Sequence, residues 1–203
     1  MKLVISNSSQ LNEKGAFKNG NLVVPKQTNN TDKFFKQCYL HLNLSYPKYF
    51  KMDGLSKLCF LCAEFLTQNY LPFTKYNREQ IGIILENYHS SLNADIKHQH
   101  SINDRENYFP SPSVFVYTLP NIMVGELCIR HKIMGEGSCF LFPKSNKTFI
   151  KNYIYSLFEK ENYQCCITGF VDFTDKAFDA SLFLIEKSEN VANDITKFDT
   201  IFK

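Results

Sequence analysis

Apolar residues change their spacing several times along the chain, and each change predicts an element. "QIGIILEN" (80–87) is an unbroken apolar run, as expected of a short strand buried on both faces. "SCFLFP" (138–143) is a second such strand, ended by Pro143, and "YQCCITGFVDF" and "ASLFLIEK" (180–187) are two more. Leu55, Leu58, Cys59, Leu61, Cys62, Phe65 and Leu66 fall at helical spacing on one face, with Asp53 placed to cap them. Phe149, Ile150, Tyr153, Ile154, Leu157 and Phe158 repeat that spacing. "QCYLHLNL" (37–44) alternates and predicts a strand; "KQTNNTDK" before it reads as a loop. The Asn- and Lys-rich segment 1–35 opens on a first strand, and "AFKNGNLVV" puts Asn-Gly between apolar runs, a hairpin signal. Val191, Ile195, Phe198 and Phe202 predict a short helix in the tail, 188–203. Helices alternating with apolar strands indicate an α/β sheet with parallel strands, and 203 residues without repeat or linker fit one domain, 1–203.

Composition narrows the function classes. The net charge is +3, with 23 basic and 20 acidic residues and scattered lysines, so there is no electrostatic footprint for nucleic acid. No stretch approaches the ~18 apolar residues of a membrane span, and the N-terminus has no signal-peptide pattern. Seven cysteines, several in apolar runs, suit buried thiols in a reducing cytoplasm, not a disulfide framework. Cys59 and Cys62 share an apolar helix face and have no second pair to complete a zinc site. Adjacent Cys165 and Cys166 point to opposite faces of their strand. His89, His98 and His100 lie in a polar stretch without a carboxylate pair and read as a solvated loop. His131 reads as a helix-end cation. Nucleotide-binding glycine loops and Gly-x-Ser-x-Gly are absent, so the expectation is no metal, no cofactor and no assembled catalytic set.

One segment is dense in backbone punctuation: "SPSVFVYTLPNIMVGELCIRHKIMGEG", 111–137. It combines two prolines, a strand-like aromatic run, a Pro-Asn step, a glycine inside an apolar helix and Gly-x-Gly. Such punctuation marks tight turns and close packing, with Gly125 suited to a close backbone approach. Ser111, Pro112, Phe115, Leu119, Asn121, Gly125, Ile133 and Gly135 resemble the stretch of β-ketoacyl-acyl-carrier-protein synthases that precedes their active-site cysteine. "YPKYFKMDGLSKLCFLCAEFL" resembles that family's first long helix, and "IGIILEN", "CCITGFVDF" and "DASLFLIEK" resemble its strands, so the likeness spans roughly residues 36–187. It is greatest for short ketosynthase-like proteins of bacterial flexirubin and aryl-polyene pathways.

The resemblance implies a thiolase-like half-domain, with a mainly parallel five-stranded sheet and helices on both faces. It places the family's nucleophile near Lys144, where the sequence has Pro143, Lys144 and Ser145 and no cysteine. Cys139 comes about five residues too early, inside a strand and away from the helix N-terminus that would lower its pKa. The family's catalytic histidines belong to a second half that this chain lacks. The resemblance therefore implies a non-catalytic, chain-length-factor-like protein of a polyketide or fatty-acid-like pathway, partnered by a ketosynthase, an acyl carrier protein or both. Ser138, Phe140, Leu141 and Phe142 form a candidate homo- or heterodimer interface on an edge strand. Two alternatives stay open: a truncated condensing or acyl-transferring enzyme using Cys139 or Ser145, and a carrier-protein binding module in which Lys144, Ser145 and Asn146 meet an anion at a helix N-terminus.

Overall fold

The computed structural model describes residues 3–187 apart from Leu71, Asn107 and Glu161, so the predicted tail helix lies outside the described residues. Seven strands form one sheet: β1 (Leu3–Asn12), β2 (Gly15–Lys18), β3 (Asn21–Pro25), β4 (Ile81–Asn87), β5 (Gly137–Leu141), β6 (Cys165–Phe173) and β7 (Phe178–Lys187). Their spatial order is β3-β2-β1-β7-β6-β4-β5. The expected five-stranded, mainly parallel sheet is corrected on both counts. Only β4–β5 and β4–β6 are parallel; the remaining neighbours run antiparallel. The reason is local. The sheet gains the predicted hairpin β2–β3, whose turn residues Asn19 and Gly20 take positive φ. β6 and β7 are joined by a short turn instead of a crossover helix.

Seven α-helices lie among the described residues: α1 (Thr31–His41), α2 (Gly54–Thr67), α3 (Pro72–Lys75), α4 (Leu92–Ile102), α5 (Pro112–Phe115), α6 (Ile122–His131) and α7 (Lys147–Lys160). Helices do cover both sheet faces. Ile83, Leu85, Ile167, Leu182 and Leu184 point to the layer of α1, α2 and α6, while Ile84, Cys166, Phe183 and Ile185 point to α7. The period of two along each strand sorts the two cores, and Cys165 and Cys166 fall on opposite sides as expected. Asp53 caps α2, accepting the Ser56 N–H at 2.9 Å, an interaction worth about 1 kcal/mol.

One predicted strand and one strand-like run are helical. "QCYLHLNL" belongs to the end of α1, because Phe34, Phe35, Cys38 and Tyr39 form the buried stripe and Asn30 caps Lys33 upstream. The alternation fails as a strand because Leu40 is exposed. "SVFV" lies in α5 and the following 3-10 turn, Val116–Thr118, where Pro112 occupies the first helical position and supplies the required φ. His98 and His100 sit on α4 and not in a loop.

α6 is held to α2 through Glu64. Arg130 Nε donates to Glu64 Oε1 at 2.8 Å, and His131 Nε2 lies 3.4 Å from the same oxygen. His131 stacks on Phe73 at 4.2 Å between centroids. Burial, and then the neighbouring Arg130 charge, lower the His131 pKa from 6.5 to about 4. The expected helix-end cation is therefore Arg130, and His131 is a neutral ring at pH 7. A depressed histidine pKa means the unfolded chain binds the proton first. This contribution to stability is complete above pH 6.5 and is lost as pH falls towards about 4. Urea denaturation across that window should show a slope that His131→Phe, which keeps the stack, reduces by one proton. An unchanged slope would place the titration elsewhere.

Candidate functional site

The C-terminal ends of β4, β5 and β6 meet at one edge of the molecule, the position at which open α/β sheets present ligand sites. The loop from β5 to α7 crosses this end and carries Pro143, Lys144 and Ser145. Ser145 Oγ donates to Glu86 Oε2 at 2.8 Å, and the Asn146 N–H donates to Glu86 Oε1 at 2.9 Å. Asn146 then caps the helix, its Oδ1 accepting the Phe149 N–H at 3.1 Å. Glu86 is buried near the end of β4 on the α7 side of the sheet. The positive end of a fourteen-residue helix is thus faced by a carboxylate from the chain itself. The donors expected to meet an external anion, Ser145 and the Asn146 amide, are already engaged.

No thiol stands at this turn among the described residues. Cys139 lies within β5 and packs with the α2 and α6 core, on the face opposite α7. Burial pushes its pKa up to about 12, and its place inside β5 on the α2 and α6 side keeps it from a helix N-terminus that would lower it. Cys59 and Cys62 are buried on α2 as expected, and burial raises both pKa values. Among the described residues no group of three or more His, Cys, Asp and Glu side chains is placed to hold a metal.

The punctuated segment does not converge on the turn. Ser111 and Pro112 open α5, which packs against α4, and Phe115 is exposed with its ring 5.2 Å from that of His98. Asn121 precedes α6 without a side-chain cap bond. Gly125 and Gly135 differ sharply. A Cβ at Gly135 would lie 2.3 Å from Ile81 O and 2.9 Å from Glu79 O, so here the chain does pass close to backbone. A Cβ at Gly125 would meet nothing within 4 Å. The close approach expected at Gly125 is corrected: the space beside that helix face is open.

β5 pairs with β4 alone and forms one edge of the sheet. Ser138 faces the α7 layer, donating to Glu136 Oε1 at 2.7 Å, and the rings of Phe140 and Phe142 pack on Phe149 at 4.8 and 5.3 Å. Leu141 is 48% exposed, and so are Ile129 on the neighbouring α6, at 61%, and Phe149 on α7, at 37%.

A second constellation was not anticipated. His89 Nδ1 lies 2.6 Å from Asp172 Oδ2, just past the end of β4 and at the last residues of β6. The other oxygen, Asp172 Oδ1, accepts the His89 N–H at 2.8 Å and the Tyr88 N–H at 3.3 Å. His89 therefore does not belong to a solvated loop without partners. The readable signal was that both residues follow or end apolar runs that read as buried strands.

No protein-family model matches the chain, and no curated protein sequence is similar to it. Solved structures are similar in fold. The ishigamide ketosynthase/chain length factor superposes with a TM-score of 0.67 at 13% identity, covering 95% of this chain and 64% of that one. A type II polyketide acyl-carrier protein in complex with its ketosynthase bound to the hexaketide gives 0.60 at 12% identity, covering 98% and 64%. The ketosynthase ApeO in complex with its chain length factor ApeC from Xenorhabdus doucetiae gives 0.56 at 12%, covering 93% and 80%. The chain thus shares the fold of these ketosynthase and chain-length-factor structures, and it spans 64% of the length of the first two of these chains. No single helix among the described residues is long and apolar enough to cross a membrane.

Proposed function

We propose that this chain is itself non-catalytic in condensation and is the partner of a ketosynthase, acting as chain length factors do in polyketide or related acyl-carrier-dependent synthesis, including pathways of the aryl-polyene or flexirubin kind. One observation carries the reading: Glu86 occupies the α7 N-terminus where the family resemblance puts a nucleophile. Claisen condensation needs a thiolate, a base for decarboxylation and an oxyanion hole together. The only thiol near the turn in sequence, Cys139, is held protonated on the wrong face of the sheet. The solved structures of similar fold include ketosynthase complexes with a chain length factor or a carrier protein, which supports a partner of the same class here.

The surface we assign to that partner is the free edge of β5 with Leu141, Ile129 and Phe149 around it. An exposed apolar edge presents unpaired N–H and C=O groups, and another strand satisfies them. Incubated alone with acyl- and malonyl-carrier protein, the purified chain should give no β-ketoacyl product by mass spectrometry. Addition of a ketosynthase from the same organism should give product. Turnover by the chain alone that is lost in Cys139→Ala would replace this reading with a condensing enzyme.

A further inference from the structure

An open hollow of ≈ 450 Å³ lies at the same end of the sheet, lined by Tyr88, His89, Leu141, Phe142 and Pro143. Leu141, Phe142 and Pro143 line it with apolar side chains, and Tyr88 and His89 line it with rings that carry polar atoms. Asp172 fixes the state of the His89 imidazole. Its Oδ1 accepts from the His89 and Tyr88 amides and from Asn87 Nδ2 at 3.4 Å, so the group is surrounded by donors and acts as an acceptor. Its Oδ2, 2.6 Å from Nδ1, accepts in turn, which puts the ring proton on Nδ1. In this tautomer the unprotonated nitrogen is Nε2, and no described residue bonds it. His89 thus combines an oriented basic nitrogen with an adjoining apolar wall, and its side chain is 37% exposed.

We propose that the hollow is a general-base site that hydrolyses esters or thioesters of apolar carboxylic acids, with His89 as the catalytic residue and Asp172 as its positioning residue. The acyl chain lies against Leu141, Phe142 and Pro143. Nε2 takes a proton from water as the water oxygen bonds to the carbonyl carbon. The carbon–sulfur or carbon–oxygen bond then breaks, and the proton passes from the imidazolium to the departing thiolate or alkoxide. One water is consumed, and an acid and a thiol or alcohol are released, so neither a thiol nucleophile nor a cofactor is needed. This activity uses none of the condensation machinery, and because Leu141 also belongs to the edge assigned to the partner, it is the activity of the chain free of that partner.

The test is hydrolysis of 4-nitrophenyl acetate, 4-nitrophenyl hexanoate and S-hexanoyl-N-acetylcysteamine by the full chain. The expected result is turnover faster than an equal concentration of free imidazole, with hexanoate preferred over acetate. His89→Gln should lower the rate about 10²-fold, the usual share of a positioned general base, with an unchanged melting midpoint. Added imidazole should restore His89→Ala but not Asp172→Asn, in which the ring is present with its tautomer no longer fixed. Leu141→Ser should reduce the preference for hexanoate. Hydrolysis no faster than free imidazole, full activity in His89→Gln, or equal rates for both chain lengths would overturn the proposal.

Discussion

Gly135→Ala should destabilise the protein by on the order of 3 kcal/mol, the upper end for overpacking in a closed space. The new methyl would sit 2.3 Å from Ile81 O, 2.9 Å from Glu79 O and 2.8 Å from Tyr163 Cε1. Two of these atoms are backbone, and neither can retreat freely. Ile81 starts β4 and is paired in register with Cys165 of β6, while the Gly135 and Met134 amides both donate to Arg78 O, at 3.2 and 3.1 Å. Gly125→Ala should do the reverse. Its methyl meets nothing within 4 Å, and alanine in a helix interior is favoured over glycine by about 1 kcal/mol. Urea midpoints for the two variants should therefore move in opposite directions. A Gly135→Ala protein as stable as its parent would contradict the packing described for this turn.

Glu86→Ala should cost about 3 kcal/mol. A buried carboxylate is tolerated only when its lone pairs are used, and Glu86 accepts from Ser145 Oγ and the Asn146 N–H at the positive end of α7. Hydrogen bonds to a charged acceptor contribute roughly 1.5–3 kcal/mol each, and the variant also leaves a backbone donor unsatisfied. Ser145→Ala, which removes one neutral donor, should cost only about 1 kcal/mol. Hydrogen exchange at the Asn146 amide separates the two: strongly accelerated in Glu86→Ala, nearly unchanged in Ser145→Ala. Equal stability of parent and Glu86→Ala would mean that the helix end does not depend on this carboxylate, and Glu86 would then not be the group that stands in the nucleophile's place.

Much of the fold was readable because burial on both faces leaves a strong mark. β4, β6 and β7 are continuous apolar runs, and α2 and α7 carry apolar residues at helical spacing. The failures have specific causes. In α1 the buried stripe begins at Phe34, inside a polar stretch, so the later alternation of leucines was misleading. β-Branched and aromatic residues in "SVFV" favour strand, but Pro112 starts a helical turn there. The first strand was readable from its apolar start, and pairing with β7 and β2 carries it through ten residues of mostly polar sequence. The turn at 143–146 was located from the resemblance, yet the occupant was not readable. Glu86 sits 59 residues from Ser145 and reads simply as the polar end of a strand. The His89–Asp172 pair was missed for the same reason. Its members are 83 residues apart, and only the parallel register of β4 with β6, in which Glu86 faces Phe170, brings them together.

Docking of a ketosynthase on the free edge of β5 is the central claim of the proposed function. It is tested most directly by molar mass in solution, from light scattering, for the chain alone, for a ketosynthase from the same organism and for the mixture, each with the parent chain and with Leu141→Lys. Leu141 lies on the outer strand with its side chain half exposed, so lysine there is compatible with the folded monomer but opposes an apolar contact. The expected result is a one-to-one complex with the parent chain and none with Leu141→Lys, while the variant keeps the parent's melting midpoint. A parent chain that stays monomeric and leaves the mass of the ketosynthase unchanged would contradict it.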